Sequence, residues 1–130
     1  MCKSRRASVA RVLIADDDTQ YLAAFSDAMV ALGHEVSGTR TRAETLETLR
    51  RGSYDIVFLD VLMPGGGAIS LIHEVRDEDA DIPIIVITGH HTVFQSPIVT
   101  EGLRLAQARI PKTTPLVELA SLVENLVRQP

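Results

Sequence analysis

The chain has 130 residues, 45% of them hydrophobic and 23% charged, with a formal net charge of −4. That is the size and mixture of one globular domain; it excludes a disordered chain and argues against a nucleic-acid-binding surface spread over the domain. The single cysteine, Cys2, excludes an internal disulfide and suits a reducing compartment such as the cytoplasm, and no apolar run approaches the roughly 20 residues that cross a bilayer.

The first ten residues carry Lys3, Arg5 and Arg6 with no apolar segment behind them. They do not form a secretory signal, and a disordered basic leader is expected over 1–10, with the folded domain over 11–130. Val12-Leu13-Ile14-Ala15 is a short apolar run, read as a first strand, and it ends in Asp16-Asp17-Asp18. From Thr19 the period changes: Tyr21, Leu22, Phe25, Met29 and Leu32 recur at helical spacing, Asp18 or Thr19 can cap the start, and Gly33 is a stop. His34 to Gly38 is a weak second strand, supported by its place between two helical patterns. Arg42 to Arg51 is a helix with Ala43, Leu46 and Leu49 as its stripe, Thr41 and Glu44 as a capping box and Gly52 as its end.

Ile56-Val57-Phe58-Leu59 is an unbroken apolar run, as expected of a strand buried on both faces, and it leads directly into Asp60. Met63, Pro64 and three glycines, Gly65 to Gly67, then turn the chain. Ile69, Leu71, Ile72 and Val75 mark a third helix ending near Arg76, and Asp77 to Asp81 reads as an acidic loop. Ile82 to Ile87 is the strongest strand pattern, closed by Thr88-Gly89. Residues 90–105 carry Phe94, Ile98 and Val99 at helical spacing, with Pro97 as a kink or break. Ala108-Arg109-Ile110 is a short fifth strand before Pro111-Lys112, and Pro115 to Val127 is an amphipathic last helix.

Strands alternating with helices imply a parallel sheet covered on both faces. The expected fold is a flavodoxin-like, doubly wound, five-stranded α/β domain with strand order 2-1-3-4-5, in three layers. In such a sheet the carboxyl ends of the strands open on one edge, where ligands bind. That edge collects Asp16, Asp17 and Asp18 from strand one, Asp60 from strand three, Thr88 from strand four and Lys112 from strand five. Clustered carboxylates repel, and a hard divalent cation such as Mg²⁺ relieves them through oxygen ligands. With Lys112 and Thr88 added, the set suits a phosphoryl group, and Asp60 is either a third metal ligand or a nucleophile. Asp18 alone reads as a helix cap, Thr88 alone as a strand former and Lys112 alone as a solvated charge; the combination is what points to chemistry. His73, His90 and His91 lack metal-ligand spacing, so zinc is not expected.

These residues resemble the receiver domain of two-component response regulators. The match runs from about Arg11 to Val127 and rests on Val12 to Asp18, Asp55 to Gly65, Ile82 to Gly89, and Pro111-Lys112. The resemblance implies that Asp60 accepts a phosphoryl group from a sensor histidine kinase, a phosphotransfer protein or a small acyl phosphate. It implies that Asp17 binds Mg²⁺ (or Mn²⁺) directly and Asp16 through water, and that the backbone carbonyl of Leu62 is a further ligand. Thr88 and Lys112 would hold the phosphoryl oxygens. The side chains at Leu62 and His90 would flank the attacking water of self-dephosphorylation, and the apolar Leu62 suggests a slow reaction. Such a domain is a switch rather than a conventional enzyme. It speaks to an output domain or a downstream protein, pairs as a homodimer through its last helices where it dimerises, and touches neither nucleic acid nor membrane itself.

Four positions depart from the family pattern. Arg109 stands where an aromatic switch residue is usual, Thr113 follows the lysine in place of proline, the Thr88–Lys112 interval is about two residues longer than usual with Pro97 inside it, and Ala68 replaces the glycine after the Met-Pro loop. Three of these fall on the usual output surface, so the chemistry is expected to be intact and the output atypical. Two other readings are weaker. A phosphatase of the haloacid-dehalogenase type would want the pattern D-x-D-x-T/V after strand one, which Gln20 breaks. A degenerate receiver, acting as an unphosphorylated binding module, would lack the acidic pair, the acceptor or the lysine.

Overall fold

The computed structural model describes residues 9–60, 68–89 and 104–127. In chain order these form β1 (Arg11–Ala15), α1 (Thr19–Ala31), β2 (Glu35–Thr39), α2 (Arg42–Arg51), β3 (Ile56–Asp60), α3 (Ala68–Glu78), β4 (Ile84–Thr88), β5 (Ala108–Pro111) and α4 (Leu116–Val127). The strands make one parallel sheet in the order β2-β1-β3-β4-β5, as the alternating pattern predicts. The helix expected within 90–105 falls on residues of which only 104 and 105 are described, and the Met-Pro-Gly loop lies outside the described residues; of the leader expected over 1–10, Val9 and Ala10 are described, and Ala10 is buried in the core.

Period-two alternation divides each central strand between two cores. Val12 and Ile14 of β1, Ile56 and Phe58 of β3 and Ile85 and Ile87 of β4 pack under α1 and α4, against Phe25, Met29, Leu119, Ala120 and Val123. Leu13, Ala15, Val57, Leu59, Ile84 and Val86 face the other way, under α2 and α3, against Leu46, Leu49, Leu71, Ile72 and Val75. Every residue of β3 and β4 is buried, which is why those strands read as continuous apolar runs. The edge strands β2 and β5 are only partly buried and more polar, and Pro111 is tolerated because it sits on an edge.

Local signals fix most boundaries. Asp18 rather than Thr19 caps α1, its carboxylate accepting from Gln20 N–H (3.0 Å) and Tyr21 N–H (3.2 Å). Gly33 follows the C-cap at φ +94°, the left-handed region glycine occupies without penalty. Thr41 caps α2 through Glu44 N–H, and Glu44 reaches back to Arg40 N–H (2.9 Å), one residue outside the expected capping box.

Four boundaries or burials differ from the sequence expectation. The second strand starts at Glu35, because His34 N–H is spent on Met29 O (3.1 Å), closing α1. The fourth starts at Ile84: Ile82 N–H donates to Asp79 Oδ1 (3.1 Å) in a turn, and Pro83 has no N–H to give. Asp77 and Glu78 belong to α3 rather than to an acidic loop; Asp79 N–H still bonds Val75 O (2.9 Å), and Glu78 pairs with Arg50 (2.7 Å) across to α2. On α2, Ala43 is exposed and the polar Thr45 is buried in its place. The Thr45 hydroxyl meets Thr39 Oγ1 (2.8 Å) and Thr41 O (2.7 Å), so burial leaves it no unmet hydrogen bond.

Candidate functional site at the carboxyl edge of the sheet

The sheet delivers four of the expected side chains to one edge. Asp16 is the residue after β1, Asp60 ends β3, Thr88 ends β4 and Lys112 follows β5. Asp16, Asp60 and Thr88 are buried, and Asp17 is exposed. One carboxylate oxygen from each of Asp16, Asp17 and Asp60 lies within 4.8 Å of the others. At that spacing each pair of anions repels by about 3 kcal/mol at an effective dielectric of about 20.

Lys112 partly relieves this. Its backbone is pinned by a bond from its N–H to Thr88 O (2.8 Å). Its ammonium reaches Asp16 Oδ2 at 2.7 Å and Asp60 Oδ2 at 3.7 Å. Burial works against the charge, but the Asp16 hydrogen bond and the charges of Asp16, Asp60 and Asp18 outweigh it, so the lysine is held above its ordinary pKa and stays cationic. The other Asp16 oxygen, Oδ1, accepts from Asp18 N–H (2.9 Å), and Asp16 N–H itself bonds Thr39 O (2.9 Å). Asp16 Oδ1 therefore has a backbone donor and Oδ2 an ion-pair partner, and the exposed Asp17 is the carboxylate most open to a ligand.

Three carboxylates and one ammonium leave two net negative charges. The donors are all oxygen, hard and closely spaced, and they fit one hard divalent cation. The fit rests on the donor set itself.

Of the remaining expected residues, Asp18 serves as the α1 cap. Arg109 is exposed on β5, in register with Val86; its neighbours Ala108 and Ile110 pack on the opposite face, under α1 and α4. Leu62 and His90 lie outside the described residues.

One site residue escaped the sequence reading. Tyr21, assigned there only to the stripe of α1, stands over the site: the Lys112 ammonium is 5.0 Å from its ring centroid. Its pKa is pushed up to about 12, first by burial and then by the charges of Asp16 and Asp60. The available signal was its place in the first turn of α1, three residues beyond Asp18.

Comparison with known proteins agrees with this arrangement. The family model described as the response regulator receiver domain matches residues 12–123. The DNA-binding transcriptional regulator NtrC of Azospirillum brasilense is 32% identical over 118 residues, covering 91% of this chain and 24% of that protein. The transcriptional regulatory protein PrrA of Mycobacterium tuberculosis is 30% identical over 120 residues, covering 92% of this chain and 50% of the relative. The chain thus spans between a quarter and a half of these relatives. Among solved structures, the response regulator receiver domain protein (CheY-like) of Methanospirillum hungatei superposes with a TM-score of 0.84 at 21% identity, over 92% of this chain and 94% of its own, which speaks to the fold. TrrA of Thermotoga maritima, solved in complex with Mg²⁺-BeF, superposes with a TM-score of 0.79 at 26% identity, over 89% of this chain and 97% of its own. By family match, strand order and the company kept at the carboxyl edge, the chain belongs to the response-regulator receiver domains, the signalling modules of two-component systems.

Proposed function

We propose that this chain is a phosphorelay receiver that takes a phosphoryl group onto Asp60 and thereby switches an output surface. The donor is a phosphohistidine on a sensor histidine kinase or phosphotransfer protein, or a small acyl phosphate. The observation that carries the reading is the cluster of Asp16, Asp17 and Asp60 carboxylates within 4.8 Å, with the Lys112 ammonium set between Asp16 and Asp60.

Asp60 is at the lip of a fully buried strand, so its backbone is fixed while its carboxylate faces the open edge. An Asp60 oxygen attacks phosphorus, and the bond from phosphorus to the donor nitrogen or acyl oxygen breaks with its electron pair staying on the donor. Lys112 turns from Asp16 towards the new phosphoryl oxygens, and the Thr88 hydroxyl donates to one of them. Mg²⁺ or Mn²⁺, when bound, supplies positive charge beside those oxygens. Asp17 and Asp60 would hold it directly. Asp16 would hold it through water, because its own oxygens already take the Asp18 N–H and the Lys112 ammonium. The Leu62 carbonyl completes the set by family resemblance.

The chain's chemistry is then confined to its own phosphorylation and dephosphorylation, in the cytoplasm. The output is an attached domain, a downstream protein or a second copy of the chain, reached through the surface around Arg109. Of the leader expected over 1–10, Ala10 belongs to the folded receiver: it is buried, its N–H donates to His34 Nδ1 (2.9 Å) and its carbonyl accepts from Glu35 N–H (2.9 Å).

The test is incubation with acetyl phosphate and Mg²⁺ followed by intact-mass measurement. One phosphoryl adduct is expected, absent from Asp60→Asn. No adduct in the unaltered protein, together with no binding of beryllofluoride, would overturn the reading in favour of a binding module that is never phosphorylated.

A further inference from the structure

The side chain of Tyr21 has two unusual features beside the site. Its ring lies against the Lys112 ammonium at 5.0 Å, within the range of a cation–π contact. Its hydroxyl is removed from solvent and has no hydrogen-bond partner among the described residues. A buried phenol normally finds a partner, and leaving one unpaired is unfavourable. The ring is held from behind by Phe25, at 6.2 Å between centroids, and Phe25 packs edge-on against Phe58 of β3 at 4.9 Å. Its backbone is fixed by the Asp18 cap. These contacts and the cap position the phenol beside the site.

The lysine is also off-centre: its ammonium is 1.0 Å closer to Asp16 than to Asp60 (2.7 against 3.7 Å). Among the described residues, Asp16, Asp60 and the π face of Tyr21 are the groups against it. A phosphoryl group on Asp60 would bring three anionic oxygens into the neighbourhood of both the ammonium and the unpaired phenol.

We propose that Tyr21 is a positioning residue of the phosphoryl-transfer site: its ring holds the Lys112 ammonium against Asp16 in the unmodified protein, and its hydroxyl donates to an oxygen of the group carried by Asp60. This rests on the phosphoryl-acceptor reading given above. The two parts separate chemically, because Tyr21→Phe removes the hydroxyl and keeps the ring, whereas Tyr21→Leu removes both. Charge-assisted hydrogen bonds strengthen with a phosphoryl-like anion, so the hydroxyl contributes about tenfold in affinity for it. The ring contributes about a further fivefold through the lysine it orients.

The experiment measures beryllofluoride binding by fluorine NMR titration in the presence of Mg²⁺, on the whole chain and on both variants. Mg²⁺ alone is titrated in parallel, and initial rates of adduct formation are taken across acetyl phosphate concentrations. Tyr21→Phe is expected to bind beryllofluoride about tenfold more weakly with its affinity for Mg²⁺ alone unchanged. Its maximal rate should fall while the half-saturating acetyl phosphate concentration stays put, a split that a general loss of packing would not give. Tyr21→Leu should be weaker again. Beryllofluoride affinity in Tyr21→Phe equal to that of the unaltered protein overturns the hydroxyl's role, and equal behaviour of Phe and Leu variants overturns the ring's. Failure of the unaltered protein to bind beryllofluoride overturns the phosphoryl-acceptor reading, and this inference with it.

Discussion

Lys112→Met isolates the electrostatics of the site in the absence of any ligand. The substitution keeps most of the aliphatic length and removes the ammonium 2.7 Å from a fully buried Asp16 and 3.7 Å from a nearly buried Asp60. Asp16 then retains only the Asp18 N–H, and the repulsion among three carboxylates loses its counter-charge. Removing one partner of a buried ion pair costs about 3–5 kcal/mol, and the lower figure applies because the Lys112 side chain keeps 15% of its surface in water. In a chelator-containing buffer at neutral pH, unfolding free energy should therefore fall by about 3 kcal/mol. With a urea m-value of about 2 kcal/mol/M, the midpoint moves down by roughly 1.5 M. The chain has no tryptophan, so far-ultraviolet circular dichroism is the natural signal. Asp16→Asn placed in the same background should recover most of the loss, since it removes the charge left unpaired. A Lys112→Met midpoint equal to that of the unaltered protein would refute the argument, as would a double variant no more stable than Lys112→Met alone.

Gly33→Ala should lower stability by about 1 kcal/mol through backbone strain alone, because φ is +94° and no atom lies within 4 Å of the added Cβ; an unchanged melting temperature would contradict this. The raised Tyr21 pKa means that the folded protein holds the phenolic proton more tightly than the unfolded chain. Its contribution to stability is fully present below pH 10 and fades as pH rises through about 12, where spectrophotometric titration should place one late phenol that Tyr21→Phe removes.

How much the sequence discloses depends on whether a signal is local. The unbroken apolar run of β3, the Asp18 and Thr41 caps and the glycine after α1 are each decided by near neighbours, and each is where its pattern places it; the run of β4 is present too, but its strand begins two residues late. The carboxyl-edge cluster was legible because strand order converts position along the chain into proximity: a residue just after β1 and one ending β3 must be neighbours. What stayed hidden depends on three-dimensional satisfaction. Thr45 is buried because Thr39 sits opposite its hydroxyl, and no helical period reports that. Tyr21 looked like one more core residue, since its spacing fits the stripe and only the fold shows Lys112 across its ring. Arg76 is similar: it ends a predicted helix, yet its guanidinium donates to Ile82 O, Leu105 O and Gln107 Oε1, tying α3 to the start of β4 and to the approach to β5.

The two tyrosines stand at opposite ends of the sheet. Tyr54 precedes β3 at the amino edge, with its hydroxyl on Ser37 (2.9 Å) and its ring under the Arg11 guanidinium (5.1 Å). Tyr21 is at the carboxyl edge beside the acidic cluster. With no tryptophan to mask them, these two phenols are the chain's dominant intrinsic fluorophores, and only one is next to the chemistry. A change in tyrosine emission on adding Mg²⁺ and beryllofluoride is therefore expected to come from Tyr21, which stands beside Lys112, rather than from Tyr54 at the far edge.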